Sequence, residues 1–196
     1  MERSVICAGL LLTGLLALLA CGSKGAPYVS SETNAAQTNS PVAGELHYKA
    51  PDGWVKEQTS SSMRVAQYKL PKAEGDPEDA LLVVYYFGAT QGGAVQANID
   101  RWISQMQQPD GGAAKDKAKT ETSTVNGLKV TSVDVAGTYT AEMAPGSGSK
   151  HNDANYRLQA AVIETPKGNY FLKLVGPAKT VGEHKKAFDE WIKAFK

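Results

Sequence analysis

Hydrophobic and polar positions change period several times along the chain, and each change marks an element. The first apolar run, Val5 to Ala20 (VICAGLLLTGLLALLA), contains no charge and is followed by a polar stretch as far as Gly44. From Glu45 the pattern becomes structured. Glu45 to Lys49 alternates, which predicts a strand, and Pro51-Asp52-Gly53-Trp54 sets proline and glycine where a tight turn needs them, with an aromatic anchor behind. Met63 to Leu70 sets Met63, Val65, Gln67 and Lys69 against Arg64, Ala66, Tyr68 and Leu70, a period-two strand with one better-buried face. Ala80 to Phe87 is apolar throughout, as expected of a central strand covered on both faces. The intervening Lys72 to Asp79 (KAEGDPED) reads as a solvated loop.

Between Gly92 and Gln108 the period lengthens. Val95, Ile99, Trp102, Ile103 and Met106 recur at helical spacing, with Gln96, Asp100, Arg101 and Gln105 turned away, and Pro109-Asp110-Gly111-Gly112 ends the pattern. Arg101-Trp102 reads as a solvated arginine beside a core tryptophan. Strands are then expected at Thr120 to Val125 and Leu128 to Thr140, joined by an Asn126-Gly127 hairpin turn. Within the second of these the apolar phase moves from Leu128 and Val130 to Val133 and Val135, which suggests a bulge near Thr131-Ser132. Tyr156 to Thr165 and Tyr170 to Val175 flank Pro166-Lys167-Gly168-Asn169 as a second hairpin. Thr180 and Glu183 have capping-box spacing ahead of an apolar stripe of Ala187, Phe188, Trp191, Ile192 and Phe195. The sum is an α+β domain over residues 45–196, an antiparallel sheet flanked by helices. No internal repeat is present.

Composition narrows the function classes. The chain has 196 residues, 42% hydrophobic and 21% charged, so it is neither collagen-like nor disordered. With 21 basic against 20 acidic side chains it lacks the charge excess of a nucleic-acid binder. Arg3 precedes the first apolar run, whose 16 residues would make a helix of about 24 Å, short of a hydrocarbon core of about 30 Å. Residues 1–20 therefore read as a signal peptide.

Leu18-Leu19-Ala20-Cys21 resembles the bacterial lipobox, which implies diacylglycerol transfer to the Cys21 thiol and cleavage ahead of it. Cys7 lies in the segment that would be removed, so no disulfide and no thiolate chemistry is expected of the mature domain. Two or three acyl chains, at about 0.8 kcal/mol per buried methylene, would anchor the chain to a membrane. Gly22 is not the aspartate that in enteric bacteria favours inner-membrane retention, so the resemblance implies the outer membrane, facing the periplasm. Residues 21–44 then form a tether with a root-mean-square reach of about 25–30 Å.

Tyr48-Lys49-Ala50-Pro51-Asp52-Gly53-Trp54, with the order of elements and the terminal helix, resembles the PsbP-like α/β/α sandwich. Asn98-Ile99-Asp100-Arg101-Trp102, Gly137-Thr138-Tyr139 and Phe171 to Pro177 are similar to a set of uncharacterised bacterial lipoproteins. The resemblance implies an accessory or binding role. It brings no activity, since the manganese-cluster and chloride-retaining residues of the photosystem branch have no match.

Candidate chemistry is sparse. His47, His151 and His184 have no partner at metal-ligand spacing, and no HExxH or CxxC occurs. Asp76, Glu78 and Asp79 lack the order of a calcium loop. Gly88 to Gly93 lies between a strand and a helix, where amides can hold an anion, which makes Gly92 and Gly93 ligand-contact candidates. Gly146 to Lys150 lacks the phosphate-loop order and reads as a hairpin tip, and no GxSxG or SxxK is present. No metal, cofactor or catalytic residue is expected. The expectation is a non-enzymatic envelope lipoprotein that binds or helps assemble another envelope protein. The alternative is a carrier of a small molecule or ion, using the cleft beside Gly92-Gly93 or the Met143 to Lys150 loop. A hydrolase assembled from distant residues stands third.

Overall fold

The computed structural model describes residues 49–196. The signal peptide, Cys21, the tether, His47 and the start of the Glu45 to Lys49 strand lie outside the described residues. Strand β1 (Val55–Lys56) precedes β2 (Arg64–Leu70) and β3 (Ala80–Tyr86). Helix α1 (Val95–Ser104), β4 (Met106–Gln107) and α2 (Ala114–Lys117) follow. Then come β5 (Lys119–Val125), β6 (Leu128–Tyr139), β7 (Asp153–Thr165), β8 (Gly168–Pro177) and α3 (Ala178–Lys193). All eight strands among the described residues join one sheet in the order β1-β2-β3-β8-β7-β6, with β4 and β5 both on the outer side of β6. Every pairing is antiparallel. The protein is α+β, an antiparallel sheet between helices, as its pattern predicted.

Period two sends alternate residues to opposite faces, and each face has its own core. On one, Ala66, Tyr68 and Leu70 of β2, Leu82 and Val84 of β3, and Leu172 and Leu174 of β8 meet Val181, Phe188, Trp191 and Ile192 of α3. Burying each of those helix side chains contributes on the order of 2 kcal/mol. Trp54 is buried there, edge-on to Trp191 with ring centroids 5.4 Å apart, so the proline-glycine turn does place an anchor. On the other face Ile99, Trp102 and Ile103 of α1 cover Val133 and Val135 of β6, Leu158, Ala160 and Val162 of β7, and Phe171 of β8.

That two-sided covering corrects the bulge expected near Thr131-Ser132. β6 pairs without interruption with β5 from Lys119↔Asp134 to Val125↔Leu128 and with β7 from Lys129↔Glu164 to Gly137↔Tyr156. Leu128 and Val130 face the α3 core, Val133 and Val135 the α1 core, so the change of phase is a change of covered face. The irregularity in β6 lies instead between Gly137 and Tyr139.

Three further differences have local causes. Helix α1 stops at Ser104, because Met106 and Gln107 pair with Tyr139 and Thr138 as β4. Thr180 does not cap α3, whose N-cap is Pro177. Thr180 is fully buried inside the first turn, donating from Oγ1 to Asp76 (2.6 Å) and accepting from the Ala73 amide (3.0 Å). The KAEGDPED loop is thereby fastened to α3 rather than merely solvated. Lys49 is not in a strand; Val55 and Lys56 form the edge strand in its place.

Asn126-Gly127 turns between β5 and β6 with positive φ at both residues (49° and 83°), as the hairpin signal required. The Asn126 amide also donates to the carbonyls of Lys193 (3.0 Å) and Phe195 (2.8 Å), tying this turn to the end of α3.

Candidate functional site: an aromatic cleft around Lys173

Helix α1 packs over β6 and β7 and leaves the neighbouring strip of the same face, over β2, β3 and β8, without a helix. The registers Leu81↔Val175, Val83↔Lys173 and Tyr85↔Phe171 put alternating side chains of two central strands into that strip. The result is a cleft of about 900 Å³, with Tyr85, Phe87, Tyr139 and Phe171 as aromatic walls and the Met143, Pro145 and Lys150 loop at its margin.

Lys173 stands in the middle of this surface, on the strand paired to both β3 and β7. Its Nζ donates to Gln105 Oε1 (2.6 Å) and to the Tyr139 hydroxyl (2.9 Å), and lies 4.9 Å from the centroid of the Tyr139 ring. Among the described residues no carboxylate comes within ion-pair distance of it. Burial, reinforced by the charges of Arg101 and Arg64, pulls the Lys173 ammonium down to about 8. The amine is therefore part-neutral near physiological pH.

The two arginines that line the cleft are held equally without carboxylates. Arg101 donates to Asn98 Oδ1 (2.7 Å), and Asn98, buried in α1, donates to the carbonyls of Gly92 (2.8 Å) and Ala94 (2.9 Å). Arg64 donates to Gln67 Oε1 (2.7 Å), with its guanidinium 5.7 Å from the centroid of the Tyr85 ring. The acids of the lining are all engaged. Glu78 accepts from the Tyr156 hydroxyl, Asp79 from the Lys72 amide (3.0 Å), Glu142 from the Gly146 amide (3.0 Å), and Asp153 pairs with His151 (2.8 Å). Burial, with Tyr85 and Asp153, pushes the Tyr139 phenol up to about 12, so it stays protonated beside Lys173. Burial and the bond to Glu78 push the Tyr156 phenol up as well. Chemically the cleft sets Lys173, Arg64 and Arg101, each with neutral partners only, among rings, with Lys150 at its margin and Glu78, Asp79, Glu142 and Asp153 in the same lining. It can hold an anion with an apolar body, and it offers one amine able to act as a nucleophile.

No family model and no curated protein matches the chain. Among solved structures it is similar to PA94 of Pseudomonas aeruginosa, a protein of unknown function, at TM-score 0.44 and 14% identity, over 72% of this chain and 94% of that one. It is also similar to the cyanobacterial PsbP (CyanoP) of Synechocystis sp. PCC 6803, at TM-score 0.44 and 10% identity, over 81% of this chain and 95% of that one. The α+β architecture itself rests on the strand pairing described above.

Gly92 and Gly93 lie at the start of α1 and do not line the cleft. Gly92, at φ 96°, leaves room for the Phe171 ring, and its carbonyl takes the Asn98 amide, so this glycine pair shapes a tight strand-to-helix connection. The Met143 to Lys150 loop does reach the cleft, as does His151. His184 is on α3 beside Trp54, bonded to the Pro71 carbonyl (2.9 Å). The residue that sequence reasoning missed is Lys173. Its signal was a lone lysine inside Phe171-Leu172-Lys173-Leu174-Val175, where the alternation places it on a covered face.

Proposed function

We propose that this protein is a non-catalytic, lipid-anchored binding protein of the bacterial cell envelope whose cleft takes a small organic anion with an aromatic or aliphatic body. One observation carries the reading: Lys173, Arg64 and Arg101 line a concave aromatic surface with only neutral hydrogen-bond partners, in a lining that also holds Glu78, Asp79, Glu142 and Asp153. The half-buried Lys173 ammonium costs solvation energy that an incoming anion returns. The volume of about 900 Å³ suits a small molecule, and this favours the carrier reading over assembly with another envelope protein.

The anchor belongs to the same proposal. Lipid on Cys21, with Gly22 behind it, would hold the domain on the outer membrane at the end of a tether of about 25–30 Å. Thermal unfolding of the full-length chain in mild detergent, across a panel of aryl and alkyl carboxylates, tests the cleft. A saturable rise in Tm that is lost in Arg101→Gln is expected, and flat curves for the whole panel would overturn the reading. Membrane fractionation of Cys21→Ala tests the anchor. Release of the variant from the membrane is expected, and retention of the variant there would refute lipidation at this residue.

A further inference from the structure

Lys173 differs in what it faces from the lysines that pair with acids. Lys69, Lys129, Lys185 and Lys186 each lie within 4 Å of a carboxylate oxygen. Lys173 has a carboxamide oxygen and a phenol as its partners, two arginines lining the same cleft, and an open side where a small molecule can enter. An amine so placed is weak as a fixed positive charge and good as a nucleophile.

We infer that Lys173 is a covalent capture site, at which Nζ condenses reversibly with a small aldehyde or keto acid whose anionic group is held by Arg64 and Arg101. The inference rests on the anion-binding reading of the cleft. The free amine adds its lone pair to the carbonyl carbon. The amine proton passes to the carbonyl oxygen, giving a carbinolamine. The carbon–oxygen bond then breaks, the oxygen leaves as water, and a carbon–nitrogen double bond remains. No oxidant or reductant takes part. Tyr139, its hydroxyl 2.9 Å from Nζ and its phenol held protonated, is placed to hand a proton to the departing oxygen and recover it from nitrogen. Gln105 Oε1, 2.6 Å from Nζ, orients the amine towards the cleft. The lowered proton affinity of Lys173 supports the geometry. At pH 7.5 an amine whose midpoint is about 8 rather than 10.5 holds on the order of a few hundredfold more free base.

The test uses the full-length chain in mild detergent, 4-carboxybenzaldehyde as the carbonyl probe and cyanoborohydride to trap the imine as a stable secondary amine. Peptide mapping by mass spectrometry reads the labelled positions. Lys173 is expected to label at least about tenfold faster than the exposed Lys186, with benzoate protecting it. Tyr139→Phe should slow trapping, and Lys173→Arg should abolish the selective adduct. If benzoate binds but Lys173 labels no faster than Lys186, the covalent inference is overturned and the anion-binding reading stands. If benzoate neither binds nor protects and labelling is unselective, both fall.

Discussion

Lys173→Met measures what an unpaired lysine costs this fold. The native ammonium has its midpoint at about 8, where an unfolded lysine has 10.5. At about 1.4 kcal/mol per pH unit that gap amounts to about 3 kcal/mol, which the native state carries whenever the side chain is protonated. Partial solvent access through the open side of the cleft reduces it to about 2 kcal/mol. Because the native value is the lower one, the penalty is complete below pH 8, shrinks as pH rises from 8 to 10.5, and is gone above that range. Methionine removes the penalty but forfeits the bonds to Gln105 and Tyr139, together about 1 kcal/mol since water can replace them. The variant should thus be about 1 kcal/mol more stable than the parent at pH 7, a rise in Tm of about 3–4 °C, and less stable at pH 10.5 by a similar amount. Thermal unfolding of both full-length chains in the same detergent, followed by far-ultraviolet circular dichroism at the two pH values, gives the difference directly. A stability difference of the same sign and size at pH 7 and pH 10.5 would refute the reasoning.

Other perturbations test the frame that holds the cleft. Asp134 accepts two bonds from Arg157 (2.7 and 2.6 Å) and one from Gln159 (3.1 Å), with Lys185 3.6 Å away. Asp134→Ala should cost about 3 kcal/mol in urea unfolding at pH 7 by stranding the half-buried arginine. Burial pushes that carboxyl up, but the bonds and charges of Arg157, Gln159 and Lys185 outweigh it and hold it below the ordinary range. Its stabilisation is therefore full above about pH 4 and fades as pH falls through the lowered native value; a parent-to-variant difference unchanged down to pH 2 would contradict this. Thr180→Val should lower stability by about 1–2 kcal/mol, since the buried Ala73 amide loses its acceptor, and Thr180→Ser should restore most of it. Gly176→Ala would bring a Cβ to 2.6 Å from Ala80 Cβ and 2.7 Å from Ala80 Cα, and the forced separation of β8 from β3 should cost about 2 kcal/mol by the same assay.

Much of the architecture was legible because hydrophobic period is a local property. The uninterrupted apolar run of β3, the stripe of α3, the Asn126-Gly127 turn and the Trp54 anchor all follow from residues close in the chain. Errors arose where distant parts decide. The phase change in β6 looks like a bulge until one knows that α1 and α3 lie over different lengths of opposite faces. Thr180 and Glu183 have the spacing of a cap, yet the Thr180 hydroxyl is claimed by a loop about a hundred residues earlier. Nothing local could announce that Met106 leaves the helical pattern to pair with Tyr139. The cleft is harder still to read, because Arg64, Arg101 and Lys173 come from β2, α1 and β8 and meet only once the sheet is assembled. Lys173 alone left a trace, as a cation at a position whose neighbours two residues either way, Phe171 and Val175, belong to a packed face.

The place of β8 between β3 and β7 also sets an order of events in folding. Leu81 pairs with Val175, about ninety residues later, whereas β5, β6, β7 and β8 pair in chain order, each with the strand next to it in the sequence. The carboxy-terminal hairpins can zip up first, and the amino-terminal strands must wait for β8 before they have an edge to join. During synthesis, β1, β2 and β3 emerge early, with the β8-facing edge of β3 unpaired until nearly the whole chain is present. The slow step of folding should be the docking of this first-made ribbon onto a preformed meander, and the cleft, whose walls come from both halves, comes into being only with that last closure.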